Sequence, residues 1–325
     1  MPFVSAATII RYLKTERKNE IVNGCACGSE PCEGAAVRVR KVFVHVHIFY
    51  PELWPRLREA LKSIVGVEWE LCVTVVEERA WLSEEIRAFK PDAQIRVVEN
   101  RGWDVWPFLD TLERVSLADY DYVIKLHTKR DYPMTKFING FSMRGSHWRE
   151  YLLEFLRTPE IFRQCLQAFD TDPRLGVVAD FRLIRDESLD ETFFRDACAG
   201  LLERAGLPRR PFRFVPGTMF MVREALLEPL KAFAGAETFS VTERFEQNGL
   251  AHQMERFFGA LVYAQGCTIE DVFTPLRRQR VQRALAQIFS RLSYFFFQDA
   301  ITASGYYLVK ICKIPVWRKA LRARS

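Results

Sequence analysis

The chain has 325 residues, 49% hydrophobic and 27% charged; this excludes a disordered chain and suits one large soluble domain with appendages. The net charge of +6 is uneven: residues 275–325 hold eleven Lys and Arg against one acid, Asp299, so that tail carries +10 and the remainder −4. The body is therefore not a nucleic-acid-binding surface, and the tail is a basic appendage.

Residues 1–36 read as an N-terminal extension, a short helix followed by a Gly/Cys-rich loop. Its apolar run is too short, and its flanks are wrong, for a secretory signal. Cys25, Cys27 and Cys32 cluster there without a histidine, whereas a closed zinc site takes four ligands. The other five cysteines are dispersed and read as reduced thiols. No stretch offers the roughly 18 uncharged apolar residues of a membrane span, so the expected location is the cytoplasm.

The folded domain is expected over residues 37–274. Val42–Phe49 is a β-branched and aromatic strand, and the prolines at 51 and 55 introduce a helix through Leu53, Leu57, Leu61 and Ile64. Leu71–Val76 is a second strand, Trp81–Phe89 a helix and Gln94–Val98 a third strand. The polar turn Asn100-Arg101-Gly102-Trp103-Asp104 leads into a helix through Trp106, Phe108, Leu109, Leu112 and Val115. The apolar strand Tyr122–Leu126 then ends on His127-Thr128-Lys129-Arg130. Strand and helix alternate at intervals of about 25 residues, which predicts an α/β fold around a mainly parallel, doubly wound sheet. Such sheets place ligands beyond the carboxyl ends of their strands.

Further on, helices are expected over Tyr151–Leu156, Ile161–Phe169 and Leu189–Ala205, with a buried strand at Gly176–Ala179. Arg213–Arg223 reads as a strand pair broken by Pro216-Gly217. Gly249–Phe258 reads as a helix that carries His252, Glu255 and Arg256 on one face. All five histidines, at 45, 47, 127, 147 and 252, fall at strand ends or helix starts of the body. Any one of them is also compatible with a satisfied core histidine, His45 above all.

Together VHVHIFYPELW, VVENRGWDVWPFLDTL, YDYVIKLHTKR, VPGTMFMVR and GLAHQMERFF resemble, in order and spacing, the rhamnan synthesis protein F family over Val42–Tyr263. That resemblance implies a glycosyltransferase-like protein of bacterial polysaccharide assembly. It implies transfer of a sugar, with rhamnose the expected one, from a nucleotide-sugar donor to a cell-surface polysaccharide or lipid-linked glycan. The order of motifs is also similar to a GT-A (Rossmann-like) layout, with a departure: the strand that would end in an Asp-x-Asp metal motif ends in His127-Thr128-Lys129. A leaving diphosphate is stabilised either by a metal or by cationic donors. The expected donor site is therefore metal-independent and needs no cofactor. It draws on His45, His47, Asn100, Arg101, Asp104, Lys125, His127, Lys129, Gly217 and Thr218. Asp104 serves either there or as a helix N-cap, and Trp103 and Trp106 either stack on a ligand or join the core.

By position in that layout Glu255 is the expected catalytic base, with His252 its rival; the alternative is a Glu255 that merely pairs with an arginine. Asp119-x-Asp121 and Asp170-x-Asp172 are the two Asp-x-Asp matches, neither at the end of a strand. A non-catalytic glycosyltransferase-like scaffold or glycan-binding subunit is the competing function, favoured by the missing acidic motif. In the tail, arginines alternate with Leu285, Ile288, Phe289 and Leu292 before Tyr294–Phe297. This reads as a basic amphipathic helical segment that associates peripherally with the inner-membrane surface.

Overall fold

Val42–Ile48 is buried at every position, as a strand covered on both faces requires, and its near-continuous apolar run follows from that. The computed structural model describes residues 39–131, 136–143, 146–235, 239, 249–301, 306–312 and 314–320. The expectations for residues 1–36, the three-cysteine cluster included, lie outside them.

In chain order the first half is β1 (Lys41–Ile48), α1 (Trp54–Leu61), β2 (Glu68–Val75), α2 (Ser83–Phe89), β3 (Gln94–Val97), α3 (Val105–Glu113) and β4 (Tyr122–His127). A small hairpin, β5 (Lys136–Ile138) with β6 (Phe141–Met143), precedes α4 (Ser146–Leu152) and α5 (Pro159–Thr171). Thr158 caps α5, its hydroxyl accepting the Ile161 N–H at 3.3 Å, and Pro159 fills a position where no backbone donor is needed. Next come β7 (Leu175–Val178), β8 (Arg185–Asp186), α6 (Thr192–Arg204), β9 (Arg213–Phe214) and β10 (Phe220–Arg223). A 3-10 helix Glu224–Phe233, α7 (Leu250–Ala264) and β11 (Thr268–Glu270) complete the body.

Seven strands form the central sheet in the order β11-β7-β10-β4-β1-β2-β3. All of its pairings are parallel except those of β10, which runs antiparallel to both β4 and β7. Residues 213–223 are thus not the expected strand pair: β9 pairs with β8, and β10 enters the main sheet. The turn between them separates the two strands instead of folding them together. The predicted helix over Tyr151–Leu156 is likewise α4 followed by a 3-10 turn, Glu154–Leu156.

Helices α3 and α7 meet on one face of the sheet through the Phe108 and Phe258 rings, 6.1 Å apart. Close approach of α7 to β9 depends on Gly259. A Cβ there would lie 2.2 Å from the Arg213 carbonyl oxygen and 2.6 Å from Phe214 Cβ. Gly259→Ala gains about 1 kcal/mol of helix propensity but forces backbone apart, at about 1–3 kcal/mol for overpacking and more where backbone must move. A net fall in the urea midpoint is expected; an unchanged or raised midpoint would show that α7 and β9 separate freely.

The tail is only partly the expected helix. Helix α8 (Leu276–Phe296) is followed by an antiparallel three-stranded sheet, β12 (Phe297–Ile301), β13 (Tyr306–Ile311) and β14 (Ile314–Ala320). Tyr, Val, Ile and Trp suit strands there, and the turn passes through Cys312 at φ +50°. No helix among the described residues is long and apolar enough to cross a membrane.

Candidate functional site

The register of β1 against its neighbours builds the site. His45 lies opposite Cys72 of β2 and Lys125 of β4, and His47 opposite Thr74 and His127. Positions two apart share a face, so His45, His47, Lys125, His127 and Thr74 form one polar stripe in an otherwise apolar sheet. All five are buried. The stripe lies on the face covered by α3 and α7, with Phe108 5.3 Å from the His45 ring.

Lys125 is fully buried, its ammonium 5.5 Å and 5.8 Å from the Phe108 and Phe258 ring centres. It pairs with Asp104 and donates to the Thr218 carbonyl at 3.1 Å and the Thr218 hydroxyl at 3.0 Å. An ammonium has three donors, and here all three are engaged. The expected cationic donor Lys125 thus has its bonds within the site, to Asp104 and Thr218.

Asp104 stands immediately before α3, yet its side chain makes no capping hydrogen bond. Its carboxylate turns to the stripe instead: Oδ2 takes Lys125 and the Thr218 hydroxyl, with His127 Nε2 at 3.8 Å. No hydrogen bond to its Oδ1 occurs among the described residues, and the side chain is 16% exposed. Burial alone would raise this carboxyl; at the low pH where it would titrate, the His127 ring is protonated, and its charge, that of Lys125 and the bonds from Lys125 and Thr218 outweigh burial and hold the group far below the usual range. Burial also lowers Lys125, against the attraction of Asp104. The pair stands as carboxylate and ammonium, and Oδ1 of the carboxylate is without a hydrogen bond among the described residues.

The histidines are neutral. Burial pushes His127 down to about 4 and His47 to about 3, and lowers His45 well below its ordinary value. Neutral rings have a single N–H each, which allows their protons to be traced. His127 Nε2 lies 2.8 Å from the Gly217 carbonyl and must donate to it. His45 Nε2 and His47 Nδ1 both meet the Thr74 hydroxyl, at 3.1 Å and 3.0 Å. His45 Nδ1 has no partner among the described residues. An orphaned buried N–H is the costlier vacancy, so His45 carries its proton on Nε2 and donates to Thr74. Thr74 then donates to His47 Nδ1, leaving the His47 proton on Nε2.

Turn 215–218 closes the site from the other half of the chain. Gly217 and Thr218 both adopt left-handed backbone, φ +102° and +52°, which is unusual for a threonine. That conformation points the Gly217 carbonyl at His127 and the Thr218 carbonyl at Lys125. Pro216 accepts the Trp148 indole N–H at 3.2 Å, and the Gly217 N–H donates to Glu255 Oε2 at 2.9 Å. Glu255 thus reaches the same turn from α7; its side chain is 20% exposed, and Oε1 takes Arg256 Nη1 at 3.0 Å. Arg256 is held in turn by Asp190 at 2.8 Å and stacks 3.9 Å from the centre of the Phe194 ring. His252, one turn before Glu255, sets its ring edge-on to Trp103, centres 6.1 Å apart, and burial lowers it.

At the rim, Trp103 is 48% exposed and has φ +56°, an outlier for an aromatic residue that presents its indole outward. Trp106 instead joins the core, donating to the Ala234 carbonyl at 3.3 Å. Asn100 is half-buried in the same turn, and Arg101 ties that turn to Glu99, to the Phe239 carbonyl and to the Trp106 ring. Lys129 lies 4.2 Å from the centre of the Trp148 ring and Arg130 5.4 Å from that of Tyr50. Thr128 accepts the Phe49 and Tyr50 N–H groups, both at 2.9 Å, locking the ends of β1 and β4 together.

Of the residues expected at the site, Asp104, Lys125, His127, Gly217, Thr218, Glu255, His47 and His45 form one connected neighbourhood. His252 borders it through Trp103. Asn100 and Arg101 stand at the turn above, and Lys129 at the strand end. Thr74, which joins two of the histidines, and Trp148 were not among them; a hydroxyl inside an apolar strand was the one available signal for Thr74. Both Asp-x-Asp pairs lie at the opposite end of the strands: Asp121 accepts the Lys41 N–H at 2.8 Å where β1 begins, and Asp170 pairs with Arg40. Among the described residues no three His, Cys, Asp or Glu side chains cluster so as to hold a metal.

Fold and site together describe an α/β protein whose polar cluster sits within its sheet, toward the carboxyl ends of β1 and β4. The chain belongs to the rhamnan synthesis protein F family, whose model matches residues 29–267. The uncharacterized protein WxcX of Xanthomonas campestris pv. campestris strain B100 is 30% identical over 239 residues, which are 70% of this chain and 32% of that protein. The WxcX protein of a second strain of the same pathovar matches with the same identity and coverage. The chain thus spans about a third of the length of these curated relatives.

Proposed function

We propose that this chain is a glycosyltransferase of polysaccharide assembly, using the carboxyl edge of β1 and β4 as its donor site. The reading is supported above all by Asp104, a carboxylate held ionised by a buried lysine with one oxygen open to a sugar hydroxyl. Membership in the rhamnan synthesis protein F family supports a role in polysaccharide biosynthesis; the nucleotide-sugar donor and rhamnose as its sugar belong to this proposal. An acceptor hydroxyl attacks the anomeric carbon while the bond from that carbon to the diphosphate oxygen breaks. The bonding pair leaves with the diphosphate, and the acceptor proton passes to a base. Glu255 takes that role, since its carboxylate retains lone pairs beyond those on Gly217 and Arg256. With Lys125 enclosed, Lys129 and Arg130 meet the leaving diphosphate, and no metal is required. Trp103 offers its indole face to the sugar or base.

Calorimetric titration with UDP-, GDP-, CMP- and dTDP-sugars, with and without EDTA, tests the donor site. One donor should bind at micromolar affinity and survive EDTA. Glu255→Gln should lower transfer by about 10²–10⁴-fold while leaving donor affinity within about threefold. Binding abolished by EDTA would restore a metal to the reaction. No binding by any donor would instead make the chain a non-catalytic, glycan-binding or scaffolding subunit.

A further inference from the structure

Helix α8 buries one side and leaves the other bare. Gln279 and Ala286 are buried; Arg283 lies over the Phe181 ring, and the Ala286 backbone runs beside Gly140. On the outward side Val281, Leu285, Ile288 and Phe289 are each about half exposed or more, Phe289 at 62%. Their i, i+4, i+7, i+8 spacing makes them a single continuous stripe. Of the fifteen large apolar side chains exposed among the described residues, nine fall in residues 276–316. The stripe starts beside Arg277 and Arg278, neither of which forms a salt bridge among the described residues, in the segment that carries +10.

The geometry points to a membrane-surface dock: the outward stripe of α8 enters the headgroup boundary of an anionic lipid bilayer, with Arg277 and Arg278 against lipid phosphates. Apolar exposure alone would fit any partner; charge complementarity selects the lipid. The segment opposes its excess of cations with one acid, and the helix pairs a basic end with an aliphatic and aromatic face, the combination that lies in an interface. A second copy of the chain would bring the same arginine-rich segment against itself. This dock stands apart from the donor site and does not depend on it.

The test is co-sedimentation of the full chain with phosphatidylglycerol-containing vesicles, beside pure phosphatidylcholine vesicles and a lipid-free ultracentrifugation run. The anionic vesicles should bind at least about tenfold more tightly, and 0.5 M NaCl should weaken binding by screening. Ile288→Ser with Phe289→Ser, and separately Arg277→Glu with Arg278→Glu, should each reduce binding about tenfold or more with the unfolding midpoint unchanged. Both arginines are exposed, so that pair keeps the test decisive if the apolar pair misfolds. Absence of vesicle binding overturns the proposal, as does equal binding to both lipids that ignores the arginine changes. A lipid-free dimer abolished by the Ile288/Phe289 change, without vesicle binding, overturns it in favour of a second copy.

Discussion

Asp104→Asn is expected to destabilise the protein by about 3–5 kcal/mol, the cost of leaving a buried charge without its partner. The substitution keeps the shape of the side chain and removes the charge that balances Lys125, a fully buried ammonium between two aromatic rings. Lys125→Met should cost less, because the carboxylate left behind is 16% exposed and keeps the Thr218 hydroxyl. Combining Lys125→Met with Asp104→Leu should recover much of the loss, since a buried ion pair is often replaceable by apolar side chains of similar volume. Urea unfolding of these proteins, with Asp104→Leu alone added to close the double-mutant cycle, gives the coupling energy. An Asp104→Asn protein within 1 kcal/mol of the parent would mean that Lys125 finds other neutralisation, and the ion pair would lose its place as the foundation of the site.

The second large effect is on acid stability. His47 and His127 are pushed down to about 3 and about 4 by burial, whereas in the unfolded chain they titrate near 6.5. Below that value the unfolded state binds more protons than the folded one, so stability is complete above about pH 6.5 and declines as pH falls. Each histidine should cost about 2 kcal/mol by pH 5, about 4 kcal/mol for the two, and His45 adds in the same direction. The His127 contribution levels off near pH 4 and that of His47 near pH 3. Asp104 acts over a lower window: its stabilisation is present above the unfolded carboxyl value of about 3.9 and is lost as pH falls further. Urea midpoints at pH 7.5 and pH 5.0 measure the histidine part, and His47→Asn should flatten the difference. Equal midpoints at the two values would show that the folded protein takes up protons over this range as readily as the unfolded chain does.

Much of the first half of the fold could be read directly. Strands β1 to β4 and their helices announce themselves through apolar runs and regular spacing. The second half was less legible because its strands are short: β10 has four residues and β11 three, too few to show a period. The tail hairpin turns at Cys312 with positive φ, where glycine or asparagine would have marked a turn, so its β-branched residues passed for more of an amphipathic segment. At the site, the residue types were visible and the pairings were not. Lys125 could be read as a cationic donor but not as half of an ion pair, because the sequence shows neither Asp104 folding back over 21 positions nor Thr218 arriving from 93 positions away. Asp104 had the position of a helix cap, and only geometry shows its carboxylate turned elsewhere.

The insertion of β10 beside β4 also has a consequence in time. Strands β1 to β4 emerge before β10 during synthesis, carrying Lys125, Asp104 and His127 while the turn that receives them is still about ninety residues short of being made. Until then the lysine and its carboxylate remain in water, and the nascent half has no dry interior at that place. The arrival of Gly217 and Thr218 seals the ammonium and fixes the His127 ring, and Glu255 reaches the same turn once α7 follows. A chain that has closed correctly and a chain whose site is assembled are therefore the same molecule.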